Sequence, residues 1–558
     1  MSDIVVAVVE NHENNTIITS NNGNNDNGCV SSTSHDGITL FDMYIQKSGM
    51  DKKDYQREGV EWLIENETRS DPPCGVKGGF VADEMGLGKT IMMIGICISN
   101  FVMRTLIVVP PVLIDQWYNQ IYKTTGHKSI VYRGKNKKTI ISSDLDRSVI
   151  VLCSYDAISI KNNSKTGNAK EGNIPKTILH DIKWGRVIFD EAHHLRNKKT
   201  SRYLGAKMLQ SEIKWLVSGT PVQNKKHDFY ALCSLINLPV SYYKDANNFS
   251  EIGRLFILKR TKKQVGIELH DVVVNKQCVS WKNKAEEKLA EEIHSAFSFS
   301  NIKPIKDLIR TVDSHSSWSM TDKDINPSTE GAGFMDVMMD HGYGKLPLLL
   351  RARQSCVYPK MMSNKIEIFH KLGLIKNNNM DFYNEAMNNS SKLDSVVDAI
   401  LERKNNGCGK LVFCHFKEEM NEISSRLKNL GGMNVGILDG NTKITARMDM
   451  INQAKDVLIL QIQTGCEGLN LQENYSEIYF VSPHWNPFVE DQAIARCHRI
   501  GQMKPVFVWR FEMDNFGDNG EGGQCDSKKA TKNLDEYIMD VQNGKRDVVN
   551  QIIESSSN

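Results

Sequence analysis

The chain has 558 residues, 40% hydrophobic and 24% charged, a length that suits about two to four domains and a composition typical of ordinary globular proteins. Its formal net charge of +2 excludes a uniformly basic nucleic-acid-coating surface, so any such contact must be a local patch. Twelve cysteines stand singly with no Cys-x-x-Cys pair, which argues against zinc modules and a disulfide framework and suits a reducing compartment.

The apolar stretch from Ile4 to Val9 is short and follows an acidic residue, so no secretory leader is expected. Residues 11 to 36 are rich in Asn, Ser, Thr and Gly, too poor in large apolar groups to offset ordering entropy, and are predicted to be disordered. From Gly37 onward apolar runs alternate with helical stretches: Leu106-Ile107-Val108-Val109, Val149-Ile150-Val151-Leu152, Val187-Ile188-Phe189 and Trp215-Leu216-Val217. Strands apolar on both faces and separated by helices predict a parallel sheet covered on both sides. The longest apolar run, from Leu106 to Ile114, contains Pro110 and Pro111 and falls short of the roughly 20 residues of a bilayer span. The basic run Lys135 to Lys138 is expected to be a solvated loop, not a nuclear address.

A second apolar set follows: Leu411-Val412-Phe413, Val457 to Leu460, Ile478 to Val481 and Val506 to Trp509. Between the two sets the chain is polar and irregular, with one predicted helix over Lys284 to Phe297 and predicted loops at Ser314-His315-Ser316-Ser317, at Asn377-Asn378-Asn379 and later at Asn515 to Gly523.

Phosphate chemistry is written at the start of the first set. Gly79-Phe80-Val81-Ala82 leads into Asp83-Glu84-Met85-Gly86-Leu87-Gly88-Lys89-Thr90 and then the apolar helix from Ile91. A strand, a glycine-containing loop and a helix N-terminus form an anion trap of backbone N–H groups and helix dipole. Lys89 is placed to reach the β- and γ-phosphates of ATP, and Thr90 to offer its hydroxyl to Mg²⁺. The general pattern begins with glycine, whereas Asp83 holds that place here. Asp190-Glu191 follows Val187-Ile188-Phe189 at the strand edge where α/β sheets bind ligands. Asp190 suits an Mg²⁺ ion, which prefers oxygen ligands, and Glu191 suits orientation of the attacking water. His193 and His194, without further ligands, make a poor zinc site and are expected to act structurally.

These residues resemble, in order, the Swi/Snf-type DNA-translocating ATPases of helicase superfamily two, from about Tyr55 to Arg546. Tyr55-Gln56-Arg57-Glu58-Gly59 is similar to the adenine-recognising Q motif, with Gln56 reading the base, and Asp83 to Thr90 to the family's own phosphate loop. Val109-Pro110-Pro111 with Gln116-Trp117 resembles motif Ia, Ser154-Tyr155 motif Ib, Ser218-Gly219-Thr220-Pro221-Val222-Gln223-Asn224 motif III, and Leu258-Lys259-Arg260-Thr261-Lys262 the basic end of the first lobe. In the second half, Leu350 to Cys356 with Tyr358-Pro359 resembles the entry helix and Ser391-Lys392-Leu393 with Val412 to Phe416 motif IV. Trp485-Asn486-Pro487 leads to motif VI, where Gln492 joins the nucleotide-binding set and Arg496 and Arg499 resemble arginine fingers; Leu534, Tyr537 and Lys545-Arg546 resemble the closing brace. Glu490-Asp491-Gln492 and His194-Leu195-Arg196-Asn197 lean toward the repair and transcription-termination branch, but the Cys/His spacing of a RING finger is missing.

The resemblance implies two tandem RecA-like α/β lobes: a disordered tail over 1–36, a first ATP-binding lobe over 37–271, a connector with a helical insertion over 272–390, a second helicase lobe over 391–550 and a disordered end over 551–558. It implies a DNA-dependent ATPase using ATP and Mg²⁺, translocating without sequence preference on double-stranded DNA to remodel or displace bound proteins such as nucleosomes or a polymerase. Such a motor is expected to be monomeric, without zinc or membrane, in the nucleus or another DNA-containing compartment, or in the cytoplasm if it serves a DNA virus. The DEAH box alone would also fit a strand-separating RNA or DNA helicase, and a non-catalytic ATP-binding switch is the third reading. DNA contacts by resemblance are Ser154, Gln463 and Arg447; Trp485 is read as a buried support for motif VI before a base-stacking platform. Motif V departs from the family, with Gln461 and Thr464-Gly465-Cys466-Glu467-Gly468 in place of its small-residue run, and Ala495 stands where an Asp is usual.

Overall fold

In a computed structural model, the residues described are 32–160, 176–219, 226–295, 345–371, 375, 377–442, 444–465, 469–516 and 532–554. The Asn-rich tail through residue 31, the motif III residues 220–224, the 314–317 loop, the motif V residues 466–468, the 517–523 part of the late loop and residues 555–558 lie outside them. The chain folds as two compact units, Met1–Glu268 with Lys545–Asn558, and Leu269–Gly544.

The first unit is built on seven parallel strands: β1 (Lys77–Val81), β2 (Thr105–Val109), β3 (Ile130–Tyr132), β4 (Ile150–Ser154), β5 (Lys183–Asp190), β6 (Gln210–Val217) and β7 (Ile257–Leu258), in the order β3-β4-β2-β5-β6-β1-β7. All five residues of β2 and of β4 are buried, as expected of strands covered on both faces. Helices α1 (Ser32–Lys47), α2 (Asp54–Thr68), α3 (Lys89–Ser99) and α4 (Ile114–Thr125) cover one face. Their apolar stripes, Phe41 and Tyr44, Val60 and Leu63, Met92 and Ile96, Trp117 and Ile121, share one core with Ile107, Val109, Trp215 and Val217. Helix α1 begins at Ser32, inside the stretch predicted to be disordered through residue 36, because Ile38, Phe41 and Tyr44 find that core.

One charged group is locked beneath this sheet. Arg186 of β5 and Glu67 of α2 are both fully buried, and Glu67 also accepts bonds from Trp215 Nε1 (2.7 Å) and Asn100 Nδ2 (2.7 Å). Four elements are thereby fixed in register, and removing either charge would strand the other at a cost of about 3–5 kcal/mol.

The second unit holds six parallel strands: β8 (Val272–Val279), β9 (Gly409–Cys414), β10 (Val435–Leu438), β11 (Val457–Gln461), β12 (Tyr475–Phe480) and β13 (Val506–Met513), in the order β10-β11-β9-β12-β13-β8. By sequence β8 falls in the connector; here it pairs with β13 along its whole length, from Val506 opposite Val272 to Met513 opposite Val279. As an edge strand it leaves Val273, Val274 and Lys276 exposed, so it lacks the doubly buried apolar run that marks the other strands. The predicted helix of the connector runs over Lys284–Ser295 (α5). Asn377-Asn378-Asn379, predicted as a loop, opens the helix Asn377–Met387, whose Tyr383, Ala386 and Met387 pack with Leu289 and Ile293. The helices α6 (Lys345–Val357), α7 (Ser391–Glu402), α8 (Lys417–Gly431), α9 (Pro487–Ile494) and α10 (Leu534–Glu554) complete the elements used below. Helix α10 runs through residues 551–554, which sequence assigned to a disordered end.

Candidate nucleotide site

Three neighbouring strands of the first sheet end at one level: Asp190 of β5 lies opposite Val217 of β6, and Val217 opposite Val81 of β1. The loops that follow them therefore emerge side by side, those after β1 and β5 roughly 10 Å apart. The loop after β1 carries residues 82–88 into α3. Gly86 and Gly88 have φ of +97° and +81°, a left-handed backbone that favours glycine, and Gly88 caps the helix that starts at Lys89. Gln56 closes over this loop, its Nε2 donating to Leu87 O at 3.1 Å; a Cβ on Gly88 would lie only 2.3 Å from that nitrogen. Leu87 is fully buried, and Thr90 is the second residue of α3.

Lys89 Nζ donates to the carbonyl oxygens of Asp83 (2.8 Å) and Glu84 (3.3 Å), folding back into its own loop. The two acidic side chains at the head of the loop turn away from it. Asp83 is completely buried against Arg260 (2.6 Å), and Glu84 pairs with Lys262 Nζ at 3.0 Å. Met85 packs toward motif III, where a Cβ on Gly219 would stand 2.9 Å from Met85 Cγ and 3.5 Å from Lys89 Nζ.

At the end of β5, Asp190 Oδ2 accepts from Trp117 Nε1 (2.7 Å), Oδ1 accepts from the Glu191 N–H (3.0 Å) and the Asp190 carbonyl accepts from Tyr155 O–H (2.6 Å). Burial, reinforced by the neighbouring Glu191 charge, pushes the Asp190 carboxyl up to about 7. Glu191 sits at φ +51°, a strained conformation for a side chain other than glycine and one that recurs at functional sites. Its Oε2 lies 3.3 Å from His193 Nδ1, and Ser218 Oγ lies 3.5 Å from the same nitrogen. His193 stacks on His194 with centroids 4.7 Å apart, and the His194 ring lies tilted against Tyr155 at 5.3 Å. The histidines thus connect the carboxylate loop to the segment after β6.

In the second unit, α9 opens with Asn486 as its cap, the side chain accepting from the Phe488 N–H, and Pro487 in the first turn. Gln492 is buried in this helix, and the chain then turns through Arg496 and Arg499. Gln492 Nε2 and Arg496 Nε are buried with no hydrogen-bond partner among the described residues. Arg499 donates to Asn470 Oδ1, and burial together with the Arg496 charge lowers its guanidinium pKa. Trp485 is buried, under the Arg353 guanidinium (5.4 Å) and edge-on to Tyr537 (6.2 Å). Of the suggested DNA contacts, Ser154 is buried at the end of β4 and Gln463 is exposed. Arg447 is engaged by the carbonyls of Thr442 (3.0 Å) and Asp439 (2.8 Å).

Trp117 and Tyr155 stand in motifs that assign them no role by sequence; their indole and phenol hold Asp190, and the Asn470 amide holds Arg499. Arg260 and Lys262 had shown only as a basic segment, because nothing local marks a partner 177 or 178 residues away.

Residues 55–429 match the SNF2-related domain, and residues 391–501 match the helicase conserved C-terminal domain. The chain belongs to the SNF2-related family. SNF2-related membership, with the second domain, makes it an ATP-hydrolysing enzyme of helicase superfamily two. A protein described as "Probable global transactivator" of Orgyia pseudotsugata multicapsid polyhedrosis virus is 25% identical over 486 residues, 83% of this chain and 86% of that one. The "ISWI chromatin-remodeling complex ATPase ISW2" of Saccharomyces cerevisiae is 26% identical over 515 residues, 88% of this chain and 41% of its own length. The "DNA repair protein RAD5" of Candida albicans is 26% identical over 590 residues, 79% of this chain and 54% of that one. The chain thus spans most of the viral relative and about half of the two fungal ones. The solved "SWI2/SNF2 ATPase core in complex with dsDNA" of Sulfolobus solfataricus is 20% identical with a TM-score of 0.35, covering 83% of this chain and 88% of that one, a score too low to carry detail across.

Proposed function

We propose that this SNF2-related ATPase translocates along double-stranded DNA and thereby displaces or remodels proteins bound to it. One observation carries the reading. The phosphate loop, the Asp190–Glu191 pair and Ser218–Gly219 stand together at the C-terminal edge of one parallel sheet, in a chain that matches the SNF2-related domain over residues 55–429. In this reading Lys89 leaves the carbonyls of Asp83 and Glu84 and takes the β- and γ-phosphates, while the N–H groups that open α3 hold the same charge. Gln56 reads the adenine. Glu191, held at its strained backbone, orients the attacking water. Gln492 completes the nucleotide contacts. Arg496 and Arg499 offset charge that develops on the γ-phosphate, and the orphaned Arg496 Nε supports a role toward an anion.

A divalent cation fits the carboxylate site: burial first, and the Glu191 charge second, disfavour the ionised form of Asp190, and a hard cation that takes oxygen ligands would favour it. Asp190 and Thr90 would hold Mg²⁺, which supplies charge neutralisation to a bound triphosphate.

DNA is engaged mainly at phosphates and therefore without sequence preference. The relatives' names speak of chromatin remodelling, DNA repair and transactivation; by analogy the proteins displaced here include nucleosomes or other complexes on DNA, in a compartment that contains it. The deciding experiment compares ATPase rates with no nucleic acid, single-stranded DNA, duplex DNA and RNA, alongside displacement of a triplex-forming strand from a duplex. Stimulation greatest with duplex DNA, falling steeply with salt and accompanied by triplex displacement, is the expected result. Greater stimulation by RNA would replace this reading with a strand-separating helicase, and ATP binding without turnover under any condition would replace it with a switch.

A further inference from the structure

One residue beside the phosphate loop belongs to neither phosphate nor metal chemistry. Beyond β7 the chain runs on alongside the loop, with the Ala82 N–H donating to Leu258 O (2.7 Å) and the Glu84 N–H to Arg260 O (2.9 Å). This rail sets Arg260 against the first loop residue. The Arg260 backbone N–H and Nε donate to Asp83 Oδ1 at 2.9 and 3.2 Å, and one terminal nitrogen donates to Asp83 Oδ2 at 2.6 Å. The other terminal nitrogen donates to the Tyr55 carbonyl. Tyr55 precedes Gln56, whose amide holds Leu87 O on the far side of the same loop. Gly59 leaves the necessary room, since a Cβ there would stand 2.8 Å from the guanidinium.

The fork geometry matters. A planar guanidinium can bind both oxygens of one carboxylate and still reach a carbonyl in another direction, which an ammonium cannot do with the same rigidity. With both oxygens engaged and the residue wholly buried, the Asp83 carboxylate is no phosphate ligand. Its carbonyl instead receives Lys89 Nζ. A continuous path of hydrogen bonds therefore runs from the segment proposed to read adenine, through Arg260 and Asp83, to the lysine proposed to grip phosphate.

We infer that Arg260 is a positioning residue that couples base recognition by Gln56 to the phosphate loop through Asp83. The inference rests on the ATP-site reading of this loop. A residue that only stiffened the fold would weaken every nucleotide alike. A coupling residue governs the preference between bases, because without it the base-reading segment and the phosphate loop no longer hold a common register.

The test titrates ATP, GTP and inorganic tripolyphosphate, each with Mg²⁺, into the full chain as wild type, Arg260→Lys, Asp83→Asn, Gln56→Ala and the Gln56→Ala/Arg260→Lys double variant. Asp83→Asn keeps the side-chain shape, and so serves should Arg260→Lys fail to fold. The expected result is that the ratio of GTP to ATP Kd falls about tenfold in Arg260→Lys and Asp83→Asn, as in Gln56→Ala. The double variant should fall no further than Gln56→Ala alone, and tripolyphosphate should lose less affinity than ATP. An unchanged ratio in Asp83→Asn and in Arg260→Lys, whatever the absolute affinities, overturns the coupling; so does full additivity in the double variant. Failure of the underlying site looks different: Lys89→Ala would bind ATP as well as wild type does, and both ideas would fall together.

Discussion

The groups proposed to meet ATP are set up in opposite ways in the two units. In the first, Lys89 is held by two loop carbonyls, Asp190 by Trp117 and a backbone N–H, and Glu191 lies beside His193. In the second, Gln492 Nε2 and Arg496 Nε are buried without hydrogen bonds among the described residues, and Arg499 shares its surroundings with a like charge. A buried donor left unsatisfied costs about 1–3 kcal/mol, and an incoming phosphate oxygen would remove that penalty. In the proposed reading the first unit binds in the ground state, trading internal bonds for phosphate contacts. The second holds groups whose stabilisation waits on an anion. If that difference is functional, removing groups from the two units should separate binding from turnover.

The largest effect is expected at Arg499. An arginine finger contributes about 10³–10⁵ in rate, so Arg499→Ala should lose nearly all DNA-stimulated turnover while nucleotide titration shows ATP affinity little changed. Weaker ATP binding with the chemical step intact would reverse the comparison. Next comes Glu191→Gln, expected to lower kcat about 10²- to 10⁴-fold while ATP stays bound. Near-normal hydrolysis by that variant would remove Glu191 from the water-orienting role. Lys89→Ala, in the binding unit, should instead lose affinity along with turnover.

How far the sequence carries this picture differs between elements for physical reasons. Doubly buried strands such as Val187-Ile188-Phe189 and Val457 to Leu460 announce themselves because both faces must be apolar, and a loop that wraps phosphate needs glycines and a lysine at fixed offsets. The edge strand Val272–Val279 hid because one missing neighbour lets its side chains be polar. Helix Asn377–Met387 hid behind three asparagines whose propensity is outweighed by the packing of Tyr383 and Ala386. The pairing of Asp83 with Arg260 hid because sequence distance carries no information about a contact made by two neighbouring strands' extensions. Trp117 was visible as part of a motif, but only folding shows its indole on Asp190.

The fourth expected effect is on stability, and it lies in the second unit. His294 is fully buried in α5; its Nδ1–H donates to Ala290 O (2.6 Å), and its Nε2 accepts the Leu534 N–H (3.2 Å) at the start of α10. Burial lowers its pKa from 6.5 to about 4. The unfolded chain therefore takes up the proton first, so the contribution is complete above about pH 6.5 and is lost as pH falls toward 4, amounting to about 3 kcal/mol. Protonation also removes the acceptor for Leu534 and so should loosen α10. Thermal unfolding and amide exchange at Leu534 between pH 7 and 4 measure this, and His294→Gln should flatten the pH dependence. A wild-type profile already flat over that range would show that His294 is not held neutral.

The smallest effect is expected at Trp485, and it distinguishes a support from a contact surface. The indole is 6% exposed, roofed by Arg353, which donates to Pro483 O at 3.1 Å, and packed with Leu534 and Ile538. It stands just before the cap of α9, the helix that leads to Arg496. Replacing it with phenylalanine leaves a small void and weakens the cation–π contact, a loss of about 1 kcal/mol. Trp485→Phe should therefore lower the melting temperature by a few degrees and kcat by a few fold, through arginines less firmly set, with duplex-DNA affinity at matched salt unchanged. A base platform behaves in the opposite sense, since stacking contributes about 1–3 kcal/mol per base: a tenfold loss of DNA affinity with an unaltered melting temperature would move Trp485 from the core of the second unit to its DNA-facing surface.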